Sequence, residues 1–259
     1  EKKFRADQIL QWIYEKRVLS FNEMTSLSIE FREKLETNFS FASPFVLKKN
    51  ISTDGSVKYL LELSDSNTIE MVIIPNEGKN TLCVSSQVGC SRGCYFCATA
   101  KMGLIRNLLP EEIIGQILLA VRELGEKSLT NIVFMGMGEP LDNFDNLIKS
   151  MRILQHPMCL GFSPRKTTIS TSGNVPGIRK LTKEKIKVKL AVSLNAATDE
   201  KRDKIMPINK KYPLAELKKT LQEFAHINPF RITFEYVMIK KFNMETSDIK
   251  AIRKFIADL

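Results

Sequence analysis

Three cysteines, Cys90, Cys94 and Cys97, stand on one short loop at C-x3-C-x2-C spacing. A strand-like run from Leu82 to Gln87 leads into them, and Gly89, Gly93 and Gly103 let the backbone fold closely around a bound group. Three thiolates from one loop can hold three corners of a four-iron cluster and leave the fourth iron without a protein ligand. Other readings compete. Structural zinc wants four nitrogen or sulfur ligands, and the only histidines, His156 and His226, are not adjacent. A disulfide pair belongs to an oxidising compartment, and no secretory signal is present. Three packed free thiols could also share this spacing by chance.

An iron left open in this way can be chelated by the amino and carboxylate groups of S-adenosylmethionine (SAM). One electron from the cluster then cleaves the sulfonium to methionine and a deoxyadenosyl radical; the cofactors carry this chemistry and the protein positions them. At these residues the sequence resembles the radical-SAM superfamily, which shares the spacing and an aromatic before the last cysteine, here Phe96.

The elements that must position the loop follow from the patterns downstream. Strand candidates are Leu82–Gln87, Asn131–Met135, Thr167–Ser170, Val188–Leu194 and Arg231–Ile239. Helix candidates are Pro110–Leu124, Asn143–Leu154, Pro176–Leu181, Pro213–Phe224 and Ser247–Ala257, three of them opened by proline. Such alternation means a parallel sheet with right-handed crossovers. The fold class is therefore α/β, a partial (β/α)6 barrel of the radical-SAM kind spanning 80–259, with its last strand and C-terminal tail expected beyond Leu259. Residues 1–42 read as a helical accessory unit on the apolar faces of Phe4, Ile9, Trp12 and Ile13, then Met24, Leu27, Phe31 and Leu35. Residues 43–79 read as a short antiparallel extension, with Asp54-Gly55 as a hairpin turn. Both ends of the chain read as cuts in a longer protein.

In barrel folds the site lies at the carboxyl ends of the strands. Gly136-Met137-Gly138-Glu139-Pro140, Ser170-Thr171-Ser172-Gly173 and Ser193-Leu194-Asn195 all fall there, on the same rim as the cysteine loop. Glu139 can accept from the SAM ammonium in a charge-assisted bond. Ser170, Ser193 and Asn195 can contact its carboxylate, ribose or adenine. Taken singly, each segment also reads as an ordinary turn.

The 259 residues carry a net charge of +10, and 43% are hydrophobic, enough for one large domain and a small one. No apolar run of about 18 residues appears, so no membrane span is expected. Five cysteines without a secretory context suggest a reducing cytosol. The positive charge is uneven. Arg165 to Lys189 holds eight Lys and Arg, Lys185 among them, against Glu184 alone, and Lys201 to Lys219 adds seven more. A stripe of this kind suits RNA, although solvated faces account for it equally well.

Longer runs bring a closer match. Thr81 to Cys90, Cys97 to Gly103, Gly136 to Pro140, Ile169 to Gly173 and Met206 to Tyr212 together resemble the RlmN/Cfr family of RNA adenine methyltransferases, over about Phe4 to Leu259. Pro140 resembles the RlmN branch, which methylates adenine C2 in 23S ribosomal RNA and transfer RNA. The resemblance implies that Cys90, Cys94 and Cys97 ligate a 4Fe-4S cluster, and that Gly138, Glu139, Ser170 and Ser193, Leu194 and Asn195 contact SAM. Asn195 stands where many members have His, so only a polar contact carries over. The resemblance further implies a methylated cysteine near the C-terminus and a covalent protein–RNA intermediate. Cys83 matches the second, resolving cysteine, and Glu70 matches a proton acceptor; read from the residues alone, these are a buried strand thiol and a solvated strand residue. A disulfide bond, an electron donor such as flavodoxin, a monomer and a cytoplasmic setting are expected with it. The methyl-carrying cysteine is expected outside this chain, since Cys159 reads as a packed thiol, so this chain should bind the cluster without completing methyl transfer. The alternatives are another radical-SAM enzyme on the same barrel, or an iron–sulfur RNA-binding module.

Overall fold

The computed structural model describes residues 4–41, 43–125, 129–184 and 186–259. Lys185, counted above in the basic run, lies outside the described residues. The expected parallel order is present. Strands β1 (Phe45–Ile51), β2 (Val57–Glu62), β3 (Thr68–Asn76) and β4 (Lys79–Cys83) run antiparallel. Beyond β4 the sheet continues in parallel through β7 (Asn131–Phe134), β8 (Thr167–Thr171), β9 (Lys189–Ser193) and β10 (Thr233–Glu235). One eight-stranded sheet therefore holds both halves, and β4 belongs to each. The expected boundary at residue 79 falls in the β3–β4 hairpin.

The crossovers are α4 (Pro110–Leu124), α5 (Phe144–Gln155), α6 (Val175–Lys183) and α9 (Leu214–Ile227), with α10 (Thr246–Ile256) after β10. α4 starts as its sequence predicts: Pro110 fills the first turn, and the Glu112 carboxylate accepts from the Leu109 amide at 2.8 Å. Its Ile113 and Ile117 are fully buried, in one core with Leu61, Ile69, Met71 and Leu82. Each such side chain contributes about 2 kcal/mol of transfer free energy.

Strand period decides which side chains meet the site. Tyr59, Leu61, Ile69, Met71, Ile73 and Leu82 face α4, and the Tyr59 hydroxyl donates to Glu123 of that helix at 2.8 Å. Lys58, Glu70, Val72 and Cys83 must then share the opposite face.

Two differences from the sequence reading matter. The run Leu82–Gln87 is not one strand: β4 ends at Cys83, and Gln87 opens β5 (Gln87–Gly89), which pairs with β6 (Leu104–Asn107) in a separate two-stranded sheet. The run Arg231–Ile239 yields only the three residues of β10. Short α1 (Phe4–Leu10), α2 (Ile29–Asn38) and α3 (Ala98–Lys101) complete the first half. Phe21, Met24, Leu27 and Leu35 close a small core of their own under α2. All five cysteines are free, so the expected disulfide is not formed among them. No helix among the described residues is long and apolar enough to cross a membrane.

Candidate active site

Cys90, Cys94 and Cys97 line one cavity of about 260 Å³ at the carboxyl ends of the parallel strands. The loop is cinched at its neck. The Cys90 amide donates to the Gly103 carbonyl at 2.8 Å. Gly89 has φ +77, and a Cβ there would lie 1.8 Å from the Gly103 oxygen, so glycine is required. One flank of the loop is clasped by an Arg92–Asp142 ion pair. On the other, the Tyr95 amide donates to the Ile205 carbonyl at 2.9 Å in α7 (Asp199–Ile205). Cys94 packs against Ile205, Met206 and Ile208. Burial pushes the Cys94 thiol up to about 11, with the neighbouring Cys90 and Cys97 adding to the rise. Burial raises Cys90 in the same direction. Binding iron would remove those protons.

The wall opposite is Gly136 to Pro140. Gly138 has φ +101, and a Cβ there would sit 2.6 Å from the Gln87 side chain. Gln87 ties this wall to the neck, accepting from the Glu139 amide at 2.8 Å and donating to Asn107 at 2.7 Å. Glu139 is buried; its carboxylate accepts from the Ser172 amide and hydroxyl, both at 2.7 Å, and its burial raises its pKa despite those bonds.

Two important residues were not singled out in the sequence. Glu235, at the end of β10, lines the cavity and accepts from Ser170 Oγ at 2.9 Å and Ser193 Oγ at 3.0 Å. One carboxylate thus joins three neighbouring strand ends. The strand-end rule finds it once β10 is seen to stop there. Arg202 of α7, counted above in a basic run, is wholly buried. Its guanidinium donates to the carbonyls of Ser172 (2.6 Å), Ser193 (3.1 Å) and Leu194 (3.0 Å) and to Asn209 (3.0 Å). Burial lowers its pKa to about 10. A run of alternating charges gives no sign that one of them is internal.

The remaining expected residues lie outside the cavity wall. Leu194 is buried, and Asn195, at φ +56, turns inward: its Oδ1 accepts from the Val237 amide at 2.9 Å and its Nδ2 reaches Met206 Sδ at 3.4 Å. Cys83 bonds the Met135 amide; burial raises its thiol to about 11, with Glu235 adding to the rise. Glu70 forms an ion pair with Lys58 at 2.9 Å. The β3–β4 register opposes Val72 to Cys83 and so sets Glu70 diagonally beside Cys83 on the same face. Cys159 lies in the α5–β8 connection, at the amino ends of the strands, with its thiol beside Tyr14.

The radical SAM superfamily matches residues 84–255, and the ribosomal RNA large subunit methyltransferase N-terminal domain matches residues 1–40. A "probable dual-specificity RNA methyltransferase RlmN" of Dictyoglomus turgidum is 47% identical over 99% of this chain and 74% of its own length. The chain belongs to the RlmN family of radical SAM proteins. A "dual-specificity RNA methyltransferase RlmN" of Nitratiruptor sp. is 44% identical over 98% of this chain and 75% of its own length. The crystal structure of a radical SAM methyltransferase from Sphaerobacter thermophilus superposes with a TM-score of 0.94, at 37% identity, covering 99% of this chain and 76% of that one. Membership implies an iron–sulfur cluster and SAM.

Proposed function

We propose that the protein is a SAM-dependent RNA methyltransferase acting on C2 of adenine in 23S ribosomal RNA and transfer RNA, through a methylated cysteine and a covalent protein–RNA intermediate. The carrying observation is one cavity that gathers the three thiols with Glu139, Ser170, Ser193 and Glu235. The relatives' names support the RNA substrate.

The donor set fits a cluster. The three thiols border a shared space, and three thiolate ligands suit a 4Fe-4S cluster with one open position. Cys90, Cys94 and Cys97 would hold it. When bound, the cluster supplies one electron, delivered by a donor such as flavodoxin, to cleave SAM. Glu139 presents a buried acceptor to the SAM ammonium, Gly138 admits the ligand close to backbone, and Ser170 and Ser193 turn from Glu235 toward its polar groups. Leu194 and Asn195 act from behind, holding the end of β9 in place.

Cys83 is the resolving thiol in this reading, held protonated until the reaction needs its proton or its sulfur. Glu70, on the same face, is the proton acceptor, released from Lys58 when RNA enters. Cys159, at the far end of the strands, is not the methyl carrier in this reading. The N-terminal unit, residues 1–42, is proposed as an accessory RNA-contact domain, 43–79 as an extension and 80–259 as the catalytic barrel. A cytoplasmic monomer is the proposed setting.

The test is anaerobic reconstitution with iron and sulfide, then SAM, a reductant and a transfer RNA transcript. Release of deoxyadenosine, lost in Cys94→Ala, is expected. With the methyl-carrying cysteine supplied, 2-methyladenosine should appear by mass spectrometry. A loaded cluster that leaves SAM intact, or methylation only at C8, would defeat the reading.

A further inference from the structure

A second cavity, of about 680 Å³, opens at the opposite end of the parallel strands. Arg165 stands just before β8, Lys187 and Lys189 at the start of β9, and Arg231 just before β10, and all four line it. Phe230 lies among them. Among the described residues no acidic side chain lines this cavity, and none of the four cations makes an ion pair. The nearest carboxylate in sequence, Glu184, is held by Arg152 at 3.3 Å. The β8–β9 and β9–β10 registers pair Lys189 with Thr168 and Ala191 with Thr233, which brings the starts of the three strands, and their charges, side by side.

Four like charges in one concave site repel one another and focus a positive potential that an anion relieves. Arginine forks match phosphate oxygens in bidentate fashion. An aromatic ring between cations is the arrangement that takes a nucleic-acid base beside its backbone. We infer that this cavity is a second RNA-binding site, gripping the phosphate backbone of the substrate away from the base that reacts. The inference rests on the RNA reading above. The strands set the span: the carboxyl ends carrying Ser170, Ser193 and Glu235 lie on the order of 15 Å from these amino ends. An RNA that fills both sites must wrap the edge of the barrel, so a folded RNA uses the second site and a short stem-loop does not.

The experiment compares the cluster-loaded protein with the triple variant Arg165→Gln, Lys187→Gln and Arg231→Gln. None of these residues touches the cofactor cavity, so deoxyadenosine release from SAM serves as the control for an intact fold. Binding of a fluorescein-labelled transfer RNA transcript is followed by anisotropy across a salt series. The variant should bind roughly tenfold or more weakly, and the slope of log affinity against log salt should fall by about 2. A short stem-loop carrying the target adenine should bind both proteins alike. Arg165→Lys, Lys187→Arg and Arg231→Lys together should restore most of the affinity. If wild type binds the transcript and the Gln variant matches it in affinity and slope, the second site is refuted while the RNA reading stands. If wild type binds no RNA, both fall. A variant that keeps RNA but loses an acidic polypeptide such as polyaspartate would overturn RNA as the occupant and make the cavity a protein-docking site.

Discussion

Glu235 gathers two hydroxyls and sits within electrostatic reach of Cys83, so it couples the cofactor cavity to the thiol behind it. Burial is the larger cause of the raised Cys83 pKa and the Glu235 charge a smaller one. Glu235→Gln removes that charge and should speed alkylation of Cys83 by iodoacetamide at pH 8 several-fold; an unchanged rate by mass spectrometry would separate the two groups. The same thiol gives a pH dependence. Its pKa rises from 9.0 to about 11 on folding, so between those values the folded chain keeps a proton that the unfolded chain has lost. Stability of the cluster-free protein should therefore decline as pH rises from about 9 to about 11, and Cys83→Ala should flatten part of that decline in thermal melts. Arg202 carries a different load. Arg202→Met removes the guanidinium donor from the Ser172, Ser193 and Leu194 carbonyls and the Asn209 amide oxygen, of which the Leu194 carbonyl keeps the Ala196 amide. Urea denaturation should show a loss on the order of 3 kcal/mol or more.

The cysteine loop is positioned by its neck more than by any strand of the main sheet. Gly89→Ala puts a methyl group onto the Gly103 oxygen, so the β5–β6 pair cannot close and the thiols cannot share one cavity. Iron content after reconstitution should fall to a small fraction of wild type, while far-UV circular dichroism stays near it because the eight-stranded sheet is untouched. What the sequence revealed at this scale follows element length. α4, with fifteen residues and a proline start, is found with the expected ends. The β5–β6 pair was hidden because its strands have three and four residues, too few to show a period, and Leu104 and Ile105 are exposed. Extending β10 to Ile239 placed Glu235 in mid-strand and concealed its position at the rim. That the three thiols border one space follows from their spacing on a single short loop. The inward turn of Asn195 does not follow in this way, because it depends on a positive φ and on Val237, forty-two residues away.

Across the whole molecule, β4 pairs antiparallel with β3 and parallel with β7. The extension and the barrel therefore share hydrogen bonds and one apolar core, whereas the N-terminal residues close a small core of their own and reach the main one through Tyr14. Native-state hydrogen exchange should show β2, β3 and β4 protected to the same degree as β7 to β9, with residues 4–41 opening at lower free energy. Equal protection throughout would mean that the small core is not independent.

The hairpin between β3 and β4 has a tight reversal, with Glu77 at φ +44 and Gly78 at φ +76 joining Asn76 to Lys79. Because side chains alternate sides with every residue, the length of that bend is also a setting for chemistry. One amino acid inserted there and carried into the register would turn β3 over, press Glu70 beneath the first crossover helix and put Met71 on the face that carries Cys83. Insertions or deletions can thus accumulate at other surface loops, but at this corner parity is fixed, and Glu70 and Cys83, on adjacent strands, are kept in phase by the turn.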